Sequence, residues 1–141
     1  MRLRVRKSAH VLERVGLAMA GAACGLFVSA HVGSTIAYLT SQGFLLVMMV
    51  AGAIGFYLGI DTPQKPFHAD VDPADPAGGI DIAEFLSAVG TFLATLTAFF
   101  SVGIIILRSE PHIAWTVLIA LGWTVGIVMQ IIAGAMARAR A

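Results

Sequence analysis

Four long apolar stretches follow one another along the chain, and none contains Asp, Glu, Lys or Arg. They run from Val15 to Leu39, from Phe44 to Ile60, from Phe85 to Leu107, and from Ile113 to Ala137. About 20 helical residues span a hydrocarbon core of roughly 30 Å, so each stretch is long enough to cross a bilayer. The stretches are continuously apolar rather than alternating, which argues against a barrel. The pattern predicts an all-α, polytopic membrane protein with four transmembrane helices.

The first two spans have less certain limits than the last two, because the first run is long for one crossing and the second is short. One interpretation ends the first helix near His31 and makes residues 32–43 an interfacial segment. The other keeps the whole run as a tilted helix and places a tight turn at residues 40–43. Basic residues precede the first run, as in a signal peptide, but the run exceeds the usual signal core, so we expect an uncleaved helix.

Composition supports lipid as the solvent of this chain. Hydrophobic residues make up 58% of it and charged residues 12%, with a mean hydropathy of +0.88. Soluble proteins carry roughly 25% charged residues, because their surface must be hydrated. The net charge of +1 indicates no nucleic-acid partner, and the single cysteine, Cys24, belongs to no zinc-like cluster. We therefore expect membrane lipid as a partner, and neither a metal nor another cofactor.

The distribution of basic residues predicts the orientation, because Lys and Arg near the membrane are retained in the cytoplasm. With the N-terminus inside, the cytoplasmic basic residues are Arg2, Arg4, Arg6, Lys7, Arg14, Lys65, Arg138 and Arg140. Only Arg108 then lies outside. We expect both termini in the cytoplasm and a location in a bacterial inner membrane.

The segment 61–80 divides the chain, because it is acidic and contains four of the five prolines. Proline and glycine favour turns and linkers over continued helix. The predicted organisation is a basic cytoplasmic segment at 1–14, a first antiparallel hairpin at 15–60, a cytoplasmic loop at 61–80, and a second hairpin at 81–141 with a basic end.

Small residues recur at about every fourth position on three of the predicted helices. In lipid such a stripe allows close approach of two helices. The stripes comprise Gly21, Gly25, Ser29, Gly33 and Ala37 on the first helix, Ala51, Gly55 and Gly59 on the second, and Gly122, Gly126 and Gly134 on the fourth. They predict either contacts within the bundle or a surface that docks another subunit.

Polar residues inside the spans are few. Ser87, Thr91 and Thr95 recur every four residues on the third helix, and Gln130 lies on the fourth. They predict interhelical hydrogen bonding, for which Gln130 is the main candidate, or alternatively the lining of a polar path. Trp123 falls deep in the fourth span, where we expect it to face lipid or a partner.

Two histidines are weak candidates for a cofactor or a pH-sensitive site. If the first helix ends early, His31 lies at the outer surface near His112, and the pair could ligate haem or a metal. The simpler interpretation is that both form interfacial hydrogen bonds.

No pattern pairs a nucleophile with a base, and no phosphate-binding motif is present, so we do not expect an enzyme. The sequence favours a non-catalytic accessory or assembly subunit that docks through its small-residue stripes to a larger membrane protein. The alternative is a small homo-oligomeric channel or permease lined by the polar face of the third helix.

Overall fold

The structure is a computed structural model that describes residues 2–59 and 82–140, with side chains from residue 10 onward. Its four helices are α1 (Arg2–Thr35), α2 (Gln42–Gly59), α3 (Ile82–Ile106) and α4 (Ile113–Ala139), and a 3₁₀ turn (Ala37–Leu39) follows α1. All four helices are long and apolar enough to cross a membrane. The prediction of an all-α protein with four transmembrane helices is confirmed, and the chain is a multi-pass membrane protein.

The first helix differs from both sequence-based expectations. It begins at Arg2 and so extends beyond the apolar span that starts at Val15, because residues 2–14 contain no proline or glycine to interrupt it. It ends at Thr35, between the two predicted ends. Ile36 is extended, with φ −115° and ψ 103°, and this turns the chain into the 3₁₀ turn. The predicted loop at 61–80 lies outside the described residues.

Backbones touch where α1 packs against α2. A Cβ built on Gly21 would overlap the carbonyl oxygen of Gly52, and one built on Gly25 would overlap the carbonyl oxygen of Met48. Only glycine permits this approach, since every other residue would place a methylene against a main-chain atom. The sequence of α1 thus fixes the line along which α2 lies.

Close approach also joins α4 to α3 and to α2. A Cβ on Gly126 would lie 2.8 Å from the carbonyl oxygen of Gly90 and 2.9 Å from the nitrogen of Ala94. One on Gly134 would lie 2.6 Å from the carbonyl oxygen of Leu58 on α2. The third helix therefore contributes a small-residue stripe of its own, at Gly90 and Ala94.

The core lies between the four helices and contains Trp123, which is 2% exposed and packs with Ile127, Phe56 and Val28. The expectation that Trp123 faces lipid or a partner is wrong. The indole lies beside Gly52 of α2, where an added Cβ would make an ordinary van der Waals contact with Cζ2 of Trp123 at 3.4 Å.

One aromatic ring joins three helices at the end of the bundle opposite the 3₁₀ turn. The guanidinium carbon of Arg14 on α1 lies 5.3 Å from the ring centroid of Tyr57 on α2. That of Arg138 on α4 lies 5.8 Å from the same centroid. Both distances suit cation–π attraction.

Candidate functional sites

Gln130 is the most polar side chain in the middle of the bundle, and it is 1% exposed. Its Nε2 donates to Oγ1 of Thr91 at 2.7 Å, which is the cross-helix bond that the sequence predicts. Thr91 in turn donates to the carbonyl oxygen of Ser87 at 2.7 Å. Gly55 makes room for the amide, because a Cβ there would lie 2.9 Å from Oε1 of Gln130. This arrangement ties α4 to α3 beside α2.

Of the other two hydroxyls in the predicted polar stripe, only Ser87 reaches across to another helix. Its Oγ donates to the carbonyl oxygen of Gly59 at 3.3 Å. Thr95 is exposed and donates to the carbonyl oxygen of Thr91 in its own helix at 2.8 Å. Each step of four residues turns about 40° around a helix, so a stripe of this spacing drifts out of the interior. Within the bundle, Ser87 and Thr91 therefore contact neighbouring helices, whereas Thr95 is exposed.

Most of the predicted small-residue stripes point into the bundle. Gly21 and Gly25 meet α2, Gly126 meets α3, and Gly134 meets α2, as described above. Three further glycines and one serine also lie against other parts of the chain, whereas Ala37 is exposed. A Cβ on Gly122 would lie 2.9 Å from Cγ2 of Thr97, and one on Gly33 would lie 3.0 Å from the carbonyl oxygen of Leu39. One on Gly59 would lie 3.6 Å from Oγ of Ser87. Ser29 is fully buried. These surfaces are occupied by the chain itself.

Sequence reasoning missed the matching stripe on α3. Gly90, Ala94 and Ala98 are all buried and recur every four residues, which is the spacing used to find the other stripes. Ser87, Thr91 and Thr95 on the same helix have the same spacing, and it was their hydroxyl groups that the sequence analysis interpreted. The two alanines that follow Gly90 at intervals of four residues are the sequence feature that could have identified this stripe.

A polar cavity of about 650 Å³, here called the end pocket, lies where the end of α1 meets the connection between α3 and α4. Its polar lining comprises His31, Ser34, Thr35, Arg108, Ser109 and Glu110. Ser34 and Thr35 both donate to the carbonyl oxygen of His31, at 2.7 and 3.1 Å. Their hydrogens are thus engaged, and their oxygens remain available as acceptors.

His31 is 1% exposed, and its Nε2 lies 3.3 Å from Oγ1 of Thr116, a fully buried hydroxyl on α4. His112 does not line the end pocket. It is exposed and caps α4, where its Nδ1 accepts from the amide of Ala114 at 3.2 Å. The two histidines are therefore engaged separately. Among the described residues, no group of three or more His, Cys, Asp or Glu side chains could hold a metal ion.

A second cavity, here called the apolar cavity, adjoins the end pocket and has a volume of about 450 Å³. It lies between α3 and α4. Its walls include Leu96, Phe100 and Trp115, and it shares Ile104 and Pro111 with the end pocket. Sequence reasoning did not find this cavity, because it depends on how the two helices diverge toward their connection.

The two adjoining cavities are the part of the described chain best suited to bind a molecule, since both have volumes typical of ligand sites. Their side chains offer charges, hydroxyls and apolar walls. Comparison of the chain with protein-family models, with curated proteins and with solved structures finds no match.

Proposed function

We propose that the chain is a non-catalytic accessory subunit of a larger integral-membrane complex. In this proposal it lies in a bacterial inner membrane as two antiparallel hairpins, with both termini in the cytoplasm. The preponderance of basic residues near the termini supports that orientation. Docking uses a face of α3 rather than the small-residue stripes, because those stripes meet other parts of the same chain.

The observation that carries the proposal is the outward face of α3, here called the phenylalanine face. Phe85, Phe92 and Phe99 follow one another every seven residues and are 53%, 62% and 72% exposed. Ala88 and Thr95 lie between them and are also exposed. The face therefore alternates large rings with small residues along the length of the helix.

This alternation suits a second helix better than it suits disordered acyl chains. A seven-residue repeat drifts by only about 20° each step, so it keeps one face toward a partner that coils slightly around the helix. Small residues between large ones form the holes that receive a partner's side chains. Near the end of α3, Gly103 extends the same face, and a Cβ there would meet no atom within 4 Å. The proposed partner is thus a transmembrane helix of another protein that packs along α3.

Substitution of this open glycine tests the proposal without disturbing the bundle. In Gly103→Leu the new side chain projects from the phenylalanine face and should hold a partner helix away. Gly16→Leu is the matched control, because a Cβ at Gly16 on α1 also meets no atom within 4 Å.

The assay is purification in mild detergent followed by native mass spectrometry. We expect a stoichiometric partner with the wild-type chain and with Gly16→Leu, and its loss with Gly103→Leu. Equal retention by both variants would contradict docking on this face. A symmetric self-oligomer that lacks a partner and conducts ions in liposomes would instead favour the channel alternative.

A further inference from the structure

The end pocket and the apolar cavity together form one amphipathic space. Ile104 and Pro111 separate them and belong to both linings, so a molecule passing over these two side chains would occupy both. One part has charged and hydroxyl groups, and the other is lined by Leu96, Phe100 and Trp115 among other apolar side chains. A ligand that fills this space needs a polar head and an apolar tail.

Opposite charges line the polar part. Arg108 and Glu110 are both exposed, are only two residues apart, and both line the end pocket. Within the described ranges the recorded salt bridge is between His10 and Glu13, at the other end of α1, and neither Arg108 nor Glu110 takes part in it. Arginine recognises phosphate well, while Glu110 and the oxygens of Ser34 and Thr35 suit an ammonium group.

The backbone at Arg108 provides a second, independent observation. Its φ of 49° lies in the left-handed region that favours glycine. It follows the end of α3, where the amide of Ser109 donates to the carbonyl oxygen of Ile104 and the amide of Arg108 to that of Ile105. This is the Schellman arrangement, in which glycine is the usual residue at the left-handed position. A charged side chain is thus kept at the cavity despite a conformational cost.

We infer that the two cavities form one binding site for a membrane phospholipid with a zwitterionic, ammonium-bearing headgroup. The phosphate contacts Arg108, and the ammonium contacts Glu110 and the hydroxyl oxygens of the end pocket. One acyl chain lies in the apolar cavity. The site is separate from the phenylalanine face and does not depend on the proposed docking.

The experiment measures which lipid the purified chain retains. Delipidated protein is exposed to mixed micelles that contain equal amounts of phosphatidylethanolamine and phosphatidylglycerol, and bound lipid is identified by native mass spectrometry. We expect preferential retention of phosphatidylethanolamine. Soluble glycerophosphoethanolamine, which has the headgroup but no acyl chain, should not compete at the same concentration. Equal retention of both lipids, or full competition by the soluble headgroup, would overturn the inference.

Two headgroup variants separate lipid binding from folding. Arg108→Gly should lower retention about tenfold, the scale expected for one charge-assisted hydrogen bond. The same variant should raise the unfolding midpoint, since glycine relieves the left-handed backbone. Glu110→Gln should remove the preference for the ammonium headgroup. Loss of retention by Arg108→Gly together with a lower midpoint would assign the arginine to the fold and refute its role in binding.

A filling variant tests the apolar part. Leu96→Trp adds bulk to a part-buried wall of the apolar cavity, and we expect it to reduce retention of phosphatidylethanolamine. Leu121→Trp is the control, because Leu121 is exposed on α4 and does not line the cavity. Equal retention by the two variants would place the acyl chain elsewhere.

The Gly103→Leu variant should retain its phospholipid even if it loses the partner helix, so failure of the docking proposal and failure of the lipid proposal are distinguishable.

Discussion

Two glycines on α1 should respond in opposite ways to the same added methyl group. At Gly21 the new Cβ would overlap the carbonyl oxygen of Gly52 and come within 2.8 Å of Cβ of Phe56. At Gly16, five residues earlier on the same helix, the new Cβ would meet no atom within 4 Å. The pair Gly21→Ala and Gly16→Ala therefore isolates the contact between α1 and α2 from the intrinsic effect of replacing glycine.

Alanine favours a helix over glycine by about 1 kcal/mol, and this gain applies at both positions. Overpacking costs roughly 1–3 kcal/mol. The cost at Gly21 should fall at the upper end of that range, because main-chain atoms cannot rotate aside. We expect Gly16→Ala to stabilise the protein by up to about 1 kcal/mol and Gly21→Ala to destabilise it by about 2 kcal/mol. The two variants should thus differ by roughly 3 kcal/mol.

The free energy of unfolding can be followed in mixed micelles as denaturing detergent is added. In a background that carries Trp115→Phe, the emission of the buried Trp123 is the signal. Circular dichroism on the same samples reports whether the helices persist after the core opens. Equal free energies for the two variants would show that α1 and α2 do not meet at Gly21, and would refute the close-packing argument.

Three other measurements test the interior. Gln130→Met should change the free energy of unfolding by less than about 1 kcal/mol, because hydrogen bonds between membrane helices average roughly 0.6 kcal/mol. In addition, Oε1 of Gln130 has no donor among the described residues, so its loss leaves no bond broken. A loss of stability above about 2 kcal/mol would contradict this expectation. Brominated acyl chains should quench the exposed Trp115 and spare Trp123, as measured in the two single-tryptophan variants, and equal quenching would place both in lipid. His31→Ala should destabilise by about 2–4 kcal/mol through the cavity and the orphaned hydroxyl of Thr116, measured in the same detergent titration; a neutral effect would show that the ring is not buried.

Much of the helical framework could be predicted from the sequence, because lipid imposes a simple rule: a helix must stay apolar for the length of its crossing. The last two spans were therefore placed within a few residues of α3 and α4. The two ends of α1 were not, since hydropathy marks where a helix leaves the membrane and not where its hydrogen bonding stops. The extended backbone at Ile36 ends that helix, and no charged residue or proline marks this position in the sequence.

The sites were less predictable than the helices. The partner of Gln130 could be anticipated because a buried amide has few alternatives in lipid. The burial of Trp123 could not, because it depends on how residues of the other helices, such as Val28 and Phe56, pack in the same core. Similarly, the left-handed backbone of Arg108 and the cavity that its side chain lines emerge only from the fold.

The ring of Tyr57 lies between two guanidinium groups, and its contacts with them need no carboxylate. Each cation–π contact is worth about 0.5–1 kcal/mol where it is exposed. The attraction arises from the quadrupole of the aromatic ring and the positive charge of the guanidinium group. A carboxylate in the place of Tyr57 would lose its charge in acid and release the two helices. The two cation–π contacts of Tyr57 therefore add an attraction between α1, α2 and α4 that contains no acid-sensitive carboxylate.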